Sequence, residues 1–398
     1  MGQVNINNNS QDNNEEKIDN TSNNEIDQKV ENKKLKSNKK ILFNIIFLII
    51  ICGVGIWFLF ALTNEFNKDN GGIKSLSEAI RDMNGWMFLL AIGVLILYIM
   101  TDGLKYYVIT KTATGKAKLK ISFKAAMLGK FYDNITPSST GGQPMQIIYL
   151  SKKGYSIADS TAIVITRFFV QMFAWVFVGG FFMIAGSSSL SSIADPAGRT
   201  TLQVFAWVGL GMILSLPLLT LSFIFFPKLT GAIVRFFLRV GHKLHIVKDK
   251  DKMIEKANKG VDDFVNSVKL MCTKPLSFIL LIILSLLEPL LTIVLPFFIL
   301  ISFTGDSITL ASLFNVMSLY VYAHFSAAVI PTPGNGGAFE VTLAAAFSGI
   351  SANVSTWVIF AFRFFTFYSY IIIGVVLLFY EFCREIVRTK RNKKQGLA

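Results

Sequence analysis

Asn134-Ile-Thr-Pro-Ser-Ser-Thr-Gly-Gly142 and Ile330-Pro-Thr-Pro-Gly-Asn-Gly-Gly337 are the two stretches whose reading decides the fold. Each puts Thr-Pro ahead of polar residues and a Gly pair, and each breaks an apolar run near its middle. Thirty residues after Pro137 comes Arg167-Phe-Phe, and thirty after Pro333 comes Arg363-Phe-Phe, so both landmarks recur at an offset of 196 residues. A glycine follows each arginine within the same apolar run, at Gly179 and Gly374. Matches in register at so many points describe an internal repeat.

The composition around these stretches excludes an ordinary soluble enzyme. Of 398 residues, 52% are apolar and 16% charged, where a soluble domain carries roughly 25% charged residues. Six apolar runs are long enough to cross a bilayer: 41–62, 86–104, 161–186, 201–226, 276–303 and 354–381. The segments 1–40, 105–124, 151–160, 227–275 and 382–398 hold most of the 39 Lys and Arg, against Lys68, Lys74, Arg81 and Arg199 on the other side. The positive-inside rule then predicts a multi-pass protein of the cell membrane with both termini in the cytoplasm. Residues 1–40 are Asn-rich and too polar to fold, so a disordered tail precedes a transmembrane domain over 41–381, with halves 41–186 and 201–381. In the loop 227–275, Met253, Ala257, Val261, Phe264, Val268 and Met271 recur at helical spacing, as an amphipathic helix on the inner leaflet or a connector packed on the bundle would require. The tail 382–398 is basic.

Topology gives the repeat its meaning. The broken stretch 125–150 is flanked by Lys124, Lys152 and Lys153 and should enter and leave on the inside, whereas 308–349 lies between outer ends. Each half then holds three crossings and one re-entrant hairpin, and an odd number of crossings mounts the second half upside down. The expected fold is all-α and polytopic, with six full crossings and two re-entrant hairpins in an inverted repeat, an arrangement typical of transporters. Unpaired backbone at the breaks requires a lining of protein or water, which places a polar cavity between the hairpin tips.

Arg167 and Arg363 lie inside apolar helices, where an arginine turns toward the bundle interior or a wet cavity. Their forked guanidinium suits a phosphate; pairing with an internal acid or with a hairpin carbonyl is the other reading, and the sequence leaves both standing. Gly141, Gly142, Gly336 and Gly337 would let backbone N–H groups approach a ligand. Asn134, Ser138, Ser139, Thr140, Gln143 and Asn335 either line the tips or satisfy the broken backbone. Four acids, Asp102, Asp133, Glu288 and Glu340, fall within the membrane; Glu288, Glu340 and Asp133 are candidates for proton coupling or for pairing with Arg or Lys130. His324, near the second break, reads as a packed residue.

Other chemistry is poorly supported. Cys52, Cys272 and Cys383 form no CxxC pair, and His242 and His245 have no third ligand nearby, so neither a metal nor a cofactor is expected. Thr114-Gly115-Lys116 lacks the upstream glycine of a P-loop. No soluble stretch exceeds about fifty residues, too short for a nucleotide-binding or transferase domain. Basic residues interleaved with aromatics, as nucleic-acid binding requires, are absent.

Asn134-Ile-Thr-Pro-Ser-Ser-Thr-Gly-Gly-Gln-Pro144, Tyr149-Leu-Ser-Lys-Lys-Gly154, Pro331-Thr-Pro-Gly-Asn-Gly-Gly-Ala-Phe-Glu340 and Arg363-Phe-Phe-Thr366 resemble the transmembrane, flippase-like region of lysylphosphatidylglycerol synthases over roughly 41–381. The resemblance implies a helical bundle that moves a phospholipid head group between leaflets, anionic, aminoacylated or polyprenyl-phosphate. In two-part relatives it supplies lysyl-phosphatidylglycerol to the outer leaflet and gives resistance to cationic peptides. It carries a binding role onto Arg167, Glu340 and Arg363, and more loosely onto Thr136, Gly141 and Gly142; Gln143 stands where many relatives have Glu. Two-part relatives add a soluble transferase domain that uses charged tRNA. The alternative function is therefore a phosphatidylglycerol lysyltransferase, alone or with a separate catalytic subunit.

Overall fold

In hydrocarbon every backbone amide must find its partner within the protein, so long apolar runs default to helices. The computed structural model describes residues 76–136, 139–193, 195–225, 255, 273–306, 308–332, 334–349 and 355–394, and every regular element among them is helical. In chain order these are α1 (Leu76–Arg81), α2 (Gly85–Thr114), α3 (Leu119–Ile135), α4 (Gly142–Lys152), α5 (Ile157–Ala185), a 3₁₀ turn at Ser187–Ser192, α6 (Pro196–Phe225), α7 (Pro275–Thr304), α8 (Leu310–Ala328), α9 (Ala338–Phe347), α10 (Ser355–Arg363), a π turn at Phe364–Tyr368 and α11 (Ser369–Lys394). Among the described residues, four stretches are long and apolar enough to cross a membrane: Gly85–Thr114, Ile157–Ala185, Pro275–Thr304 and Thr356–Glu381. Helix α6 covers residues 201–225 of the predicted run 201–226, whose last residue lies outside the described residues. The tail 1–40, the run 41–62, Ser138, the histidines His242 and His245, residues 395–398 and the loop 227–275 apart from Glu255 and its final residues lie outside the described residues.

Local chemistry sets the helix ends. The Asn84 side chain accepts from the amides of Trp86 (3.1 Å) and Met87 (3.3 Å) and starts α2. Ser156 does the same for α5 through Asp159, and Thr309 with Ser312 forms a reciprocal capping box on α8. Gly115, at φ +74°, ends α2 in the left-handed conformation. This end corrects one expectation: α2 runs ten residues beyond the predicted limit at 104, and Lys105, counted with the cytoplasmic lysines, is fully buried inside it. Asp102 and Lys105 sit one turn apart and end the hydropathy run, although both are compensated within the bundle. Helix α11 likewise continues to Lys394, through most of the predicted basic tail.

Three long helices share one layered pattern. On α2, Ala91 belongs to one apolar core and Tyr106 and Ile109 to a second; on α7, Ile293–Ile301 contribute to the first and Leu281 to the second. On α5, Ile163 and Val164 belong to the second core and Val178, Phe182 and Met183 to the first, so α5 and α7 run from the second core to the first and α2 the opposite way. Between the two cores, all three helices turn polar or charged groups inward. Outward they present Leu89, Phe177, Phe181 and Ile283, and α11 presents Val376 and Phe379, all exposed, an apolar perimeter suited to lipid and unsuited to water.

Both broken stretches form helix–break–helix units, α3 with α4 and α8 with α9, whose arms pack on each other. Thr136 is extended (φ −116°, ψ 146°), as the residue before a proline prefers. The Ser139 amide then donates to the Thr136 carbonyl at 3.2 Å, and the Asn335 amide to the Thr332 carbonyl at 3.1 Å. Ser139 (φ +51°) and Asn335 (φ +55°) are the non-glycine residues with positive φ among the described residues, and they too are 196 apart. Each unit also packs against the far half. A side chain at Gly179 of α5 would run into the Phe325 ring of α8, and one at Gly374 of α11 into the Phe131 ring of α3. Gly179→Ala and Gly374→Ala should each destabilise the fold by about 1–3 kcal/mol through overpacking, read as a lower thermal midpoint in detergent.

Candidate functional site

The layer between the two cores holds a cavity of about 830 Å³. Asn134, Ser139, Thr140 and Gln143 line it from the first break, Ile330, Pro331, Gly334 and Asn335 from the second. Arg167, Arg363, Glu288, Asp133, Lys130 and His324 also reach its wall, together with the apolar Val94, Leu95, Met172, Met212, Ile213, Leu291 and Leu295. A few convergent charges against an apolar wall suit an amphipathic ligand.

The charges form two groups. In the first, Arg167 donates from Nε to Asp102 Oδ1 at 2.9 Å and from Nη2 to the same oxygen, with its guanidinium over the Tyr106 ring at 4.7 Å. Lys105 bonds Glu288 and Gln171 and lies 3.9 Å from Asp102. The other Glu288 oxygen faces Lys130 Nζ at 3.5 Å. Asp102, Lys105 and Glu288 are buried, so each charge depends on its partners for compensation. Lys105 was overlooked in the sequence because a charge at the end of an apolar run looks like a loop; the Asp102–Lys105 spacing of i,i+3 was the available signal. Gln171, one turn beyond Arg167, carried no sequence signal at all.

The second group is Arg363 with Glu340. Nε donates to Glu340 Oε1 at 2.7 Å, while Nη1 and Nη2 approach the Gly334 carbonyl at 3.3 and 3.4 Å. Phe367 and Phe339 flank the guanidinium at 4.4 and 5.6 Å. The other Glu340 oxygen accepts from the Gly337 amide at 2.8 Å and caps α9. Both arginines therefore satisfy an internal acid, and Arg363 also takes up a carbonyl of the second tip.

Thr136, Gly141, Gly142, Gly336, Gly337 and Glu340 do not line the cavity. The Gly141 amide donates to Thr136 Oγ1 at 2.8 Å and the Gly142 amide to Asp133 Oδ1 at 2.9 Å, so these donors hold the first tip together and are already engaged. A Cβ at Gly142 would collide with the Asp133 carboxylate. The tips also meet the opposite half: Asn134 Nδ2 donates to the Phe367 carbonyl at 3.2 Å, inside the π turn where Ser369 N–H reaches back five residues to Phe364. His324 stacks on Trp175 at a centroid distance of 4.2 Å, a packed ring that borders the cavity.

Membrane-length helices around a cavity lined by charged side chains define an integral membrane protein with a polar site. Residues 45–374 match the family described as Lysylphosphatidylglycerol synthase TM region, and the chain belongs to that family. No curated protein and no solved structure matches it.

Proposed function

We propose that the protein is a lipid translocase of the cell membrane, carrying a phospholipid head group between leaflets through the cavity while the acyl chains stay in the bilayer. The observation that carries this reading is the cavity itself: both broken stretches converge on it and its wall combines charged side chains with apolar ones. In this reading the chain has six crossings and two re-entrant hairpins, its halves are inverted copies, and both termini are cytoplasmic. The repeated turns at Ser139 and Asn335, the helix starts at Gly142 and Ala338, and the reciprocal contacts of Gly179 with Phe325 and Gly374 with Phe131 support the repeat. Interrupted helices at an inverted-repeat interface suit alternating access.

Scrambling of fluorescent phospholipid in proteoliposomes tests the function directly. Wild-type protein should accelerate exchange over empty vesicles, and Arg167→Ala should slow it at least tenfold. Equal rates for wild-type and empty vesicles across anionic, zwitterionic and aminoacylated lipids would refute it. The family's description favours a second reading, participation in lysyl-phosphatidylglycerol synthesis with a separate catalytic subunit. New lysyl-phosphatidylglycerol in lipid extracts of a host expressing only this chain would instead identify a transferase.

A further inference from the structure

We infer that the cavity has one phosphate subsite, built by Lys130 of α3 and Arg167 of α5, and that Arg363 is a positioning residue of the second tip. The inference rests on the translocase reading and specifies where the head group is gripped.

The two arginines differ in what they have left to offer. All three Arg363 nitrogens are engaged by Glu340 and Gly334, and its side chain is 6% exposed between two phenyl rings. Arg167 converges two nitrogens on a single oxygen of Asp102, and its Nη1 has no hydrogen-bond partner among the described residues. Lys130 is more available still. Its side chain is 26% exposed on the cavity wall, and its one hydrogen bond among the described residues is the 3.5 Å contact to Glu288, whose other oxygen is held by Lys105. An ammonium carries three donors; one is directed at Glu288 and the Tyr98 ring lies 5.1 Å from the nitrogen, so at least one is left for a ligand.

Charge balance points the same way. The contacting groups are three cations, Lys105, Lys130 and Arg167, and two carboxylates, Asp102 and Glu288. Asp133, the remaining acid on this wall, turns Oδ1 to the Gly142 amide and forms no ion pair with these cations among the described residues. Within contact distance the cations therefore outnumber the carboxylates, and a phosphate oxygen supplies the direct anionic contact that Lys130 and Arg167 Nη1 have left to make. Two further groups of the same wall lack partners among the described residues: the Gln171 Nε2 amide and the Tyr370 hydroxyl, on residues 94% and 97% buried by their 6% and 3% exposures. Lys130 thus takes a phosphate oxygen directly and Arg167 completes the grip with Nη1, in the charge-assisted geometry such groups favour.

The test is calorimetric titration of the full chain in detergent with dihexanoyl-phosphatidylglycerol, inorganic phosphate and the uncharged dihexanoylglycerol. The short-chain phospholipid should bind, with affinity reduced at least tenfold in Lys130→Gln and in Arg167→Gln and retained in Lys130→Arg; dihexanoylglycerol should not bind. Tighter binding of the phospholipid than of inorganic phosphate assigns a lipid head group, and phosphate binding that Lys130→Gln alone abolishes assigns the subsite to the free anion. Undiminished phospholipid binding by Lys130→Gln, with a thermal midpoint matching wild type, overturns the subsite. Scrambling by wild-type vesicles separates the two claims: binding without scrambling refutes transport, and scrambling unaffected by Lys130→Gln refutes the subsite.

Discussion

Arg363→Ala should lower stability by about 3–5 kcal/mol and abolish lipid exchange together, because it strips the Glu340 carboxylate of its cation in a buried site and releases the Gly334 carbonyl. Glu340 is 1% exposed and would keep only the Gly337 amide. The decisive control is the double variant Arg363→Met with Glu340→Gln. A glutamine oxygen still caps Gly337, no net charge remains, and most of the lost stability should return, since replacing a buried ion pair by neutral groups is often close to neutral. Thermal unfolding in detergent measures both. If the single variant melts with wild type, the pair has no structural role and Arg363 is free to serve as a ligand after all.

Glu288→Gln should be nearly as damaging, again by about 3–5 kcal/mol, because Glu288 compensates two lysines at once. Lys105, fully buried, would keep Asp102 at 3.9 Å as its one acidic partner among the described residues, shared with Arg167. Lys105→Met should be milder, since Lys130 is cavity-exposed and can close on the carboxylate that Lys105 vacates. The same thermal midpoints rank the two variants, and the reverse order would show that Lys130 cannot replace Lys105 as the partner of Glu288.

Much of this architecture was legible in the sequence because lipid imposes simple rules. Apolar runs of sufficient length had to be helices, and Thr-Pro with a Gly pair had to interrupt them. The offset that joins Pro137 to Pro333 and Arg167 to Arg363 joins Ser139 to Asn335 in backbone conformation as well. What the sequence hid was partnership. Arg167 and Arg363 look alike in context, yet one faces the cavity with a free nitrogen and the other is enclosed by Glu340, Gly334 and two rings. Pairing between residues such as Lys105 and Glu288, 183 positions apart, leaves no trace in local spacing. The glycine pairs invited a ligand-cradle reading, but Thr136 and Asp133 had already claimed the amides of Gly141 and Gly142, and Glu340 that of Gly337.

The widened turn at Phe364–Tyr368 has an effect on every residue beyond it. One residue accommodated without extending the helix shifts the angular phase by about 100°. From Ser369 onward the side chains are therefore rotated relative to a continuous α-helix begun at Ser355. That rotation lets Arg363 serve the second tip while Tyr370 and Gly374, further along the same rod, address the first-half helix α3. A deletion of one residue within Phe364–Tyr368 would restore regular winding and turn this lower half away from its neighbour, so the segment's length is as constrained as its composition.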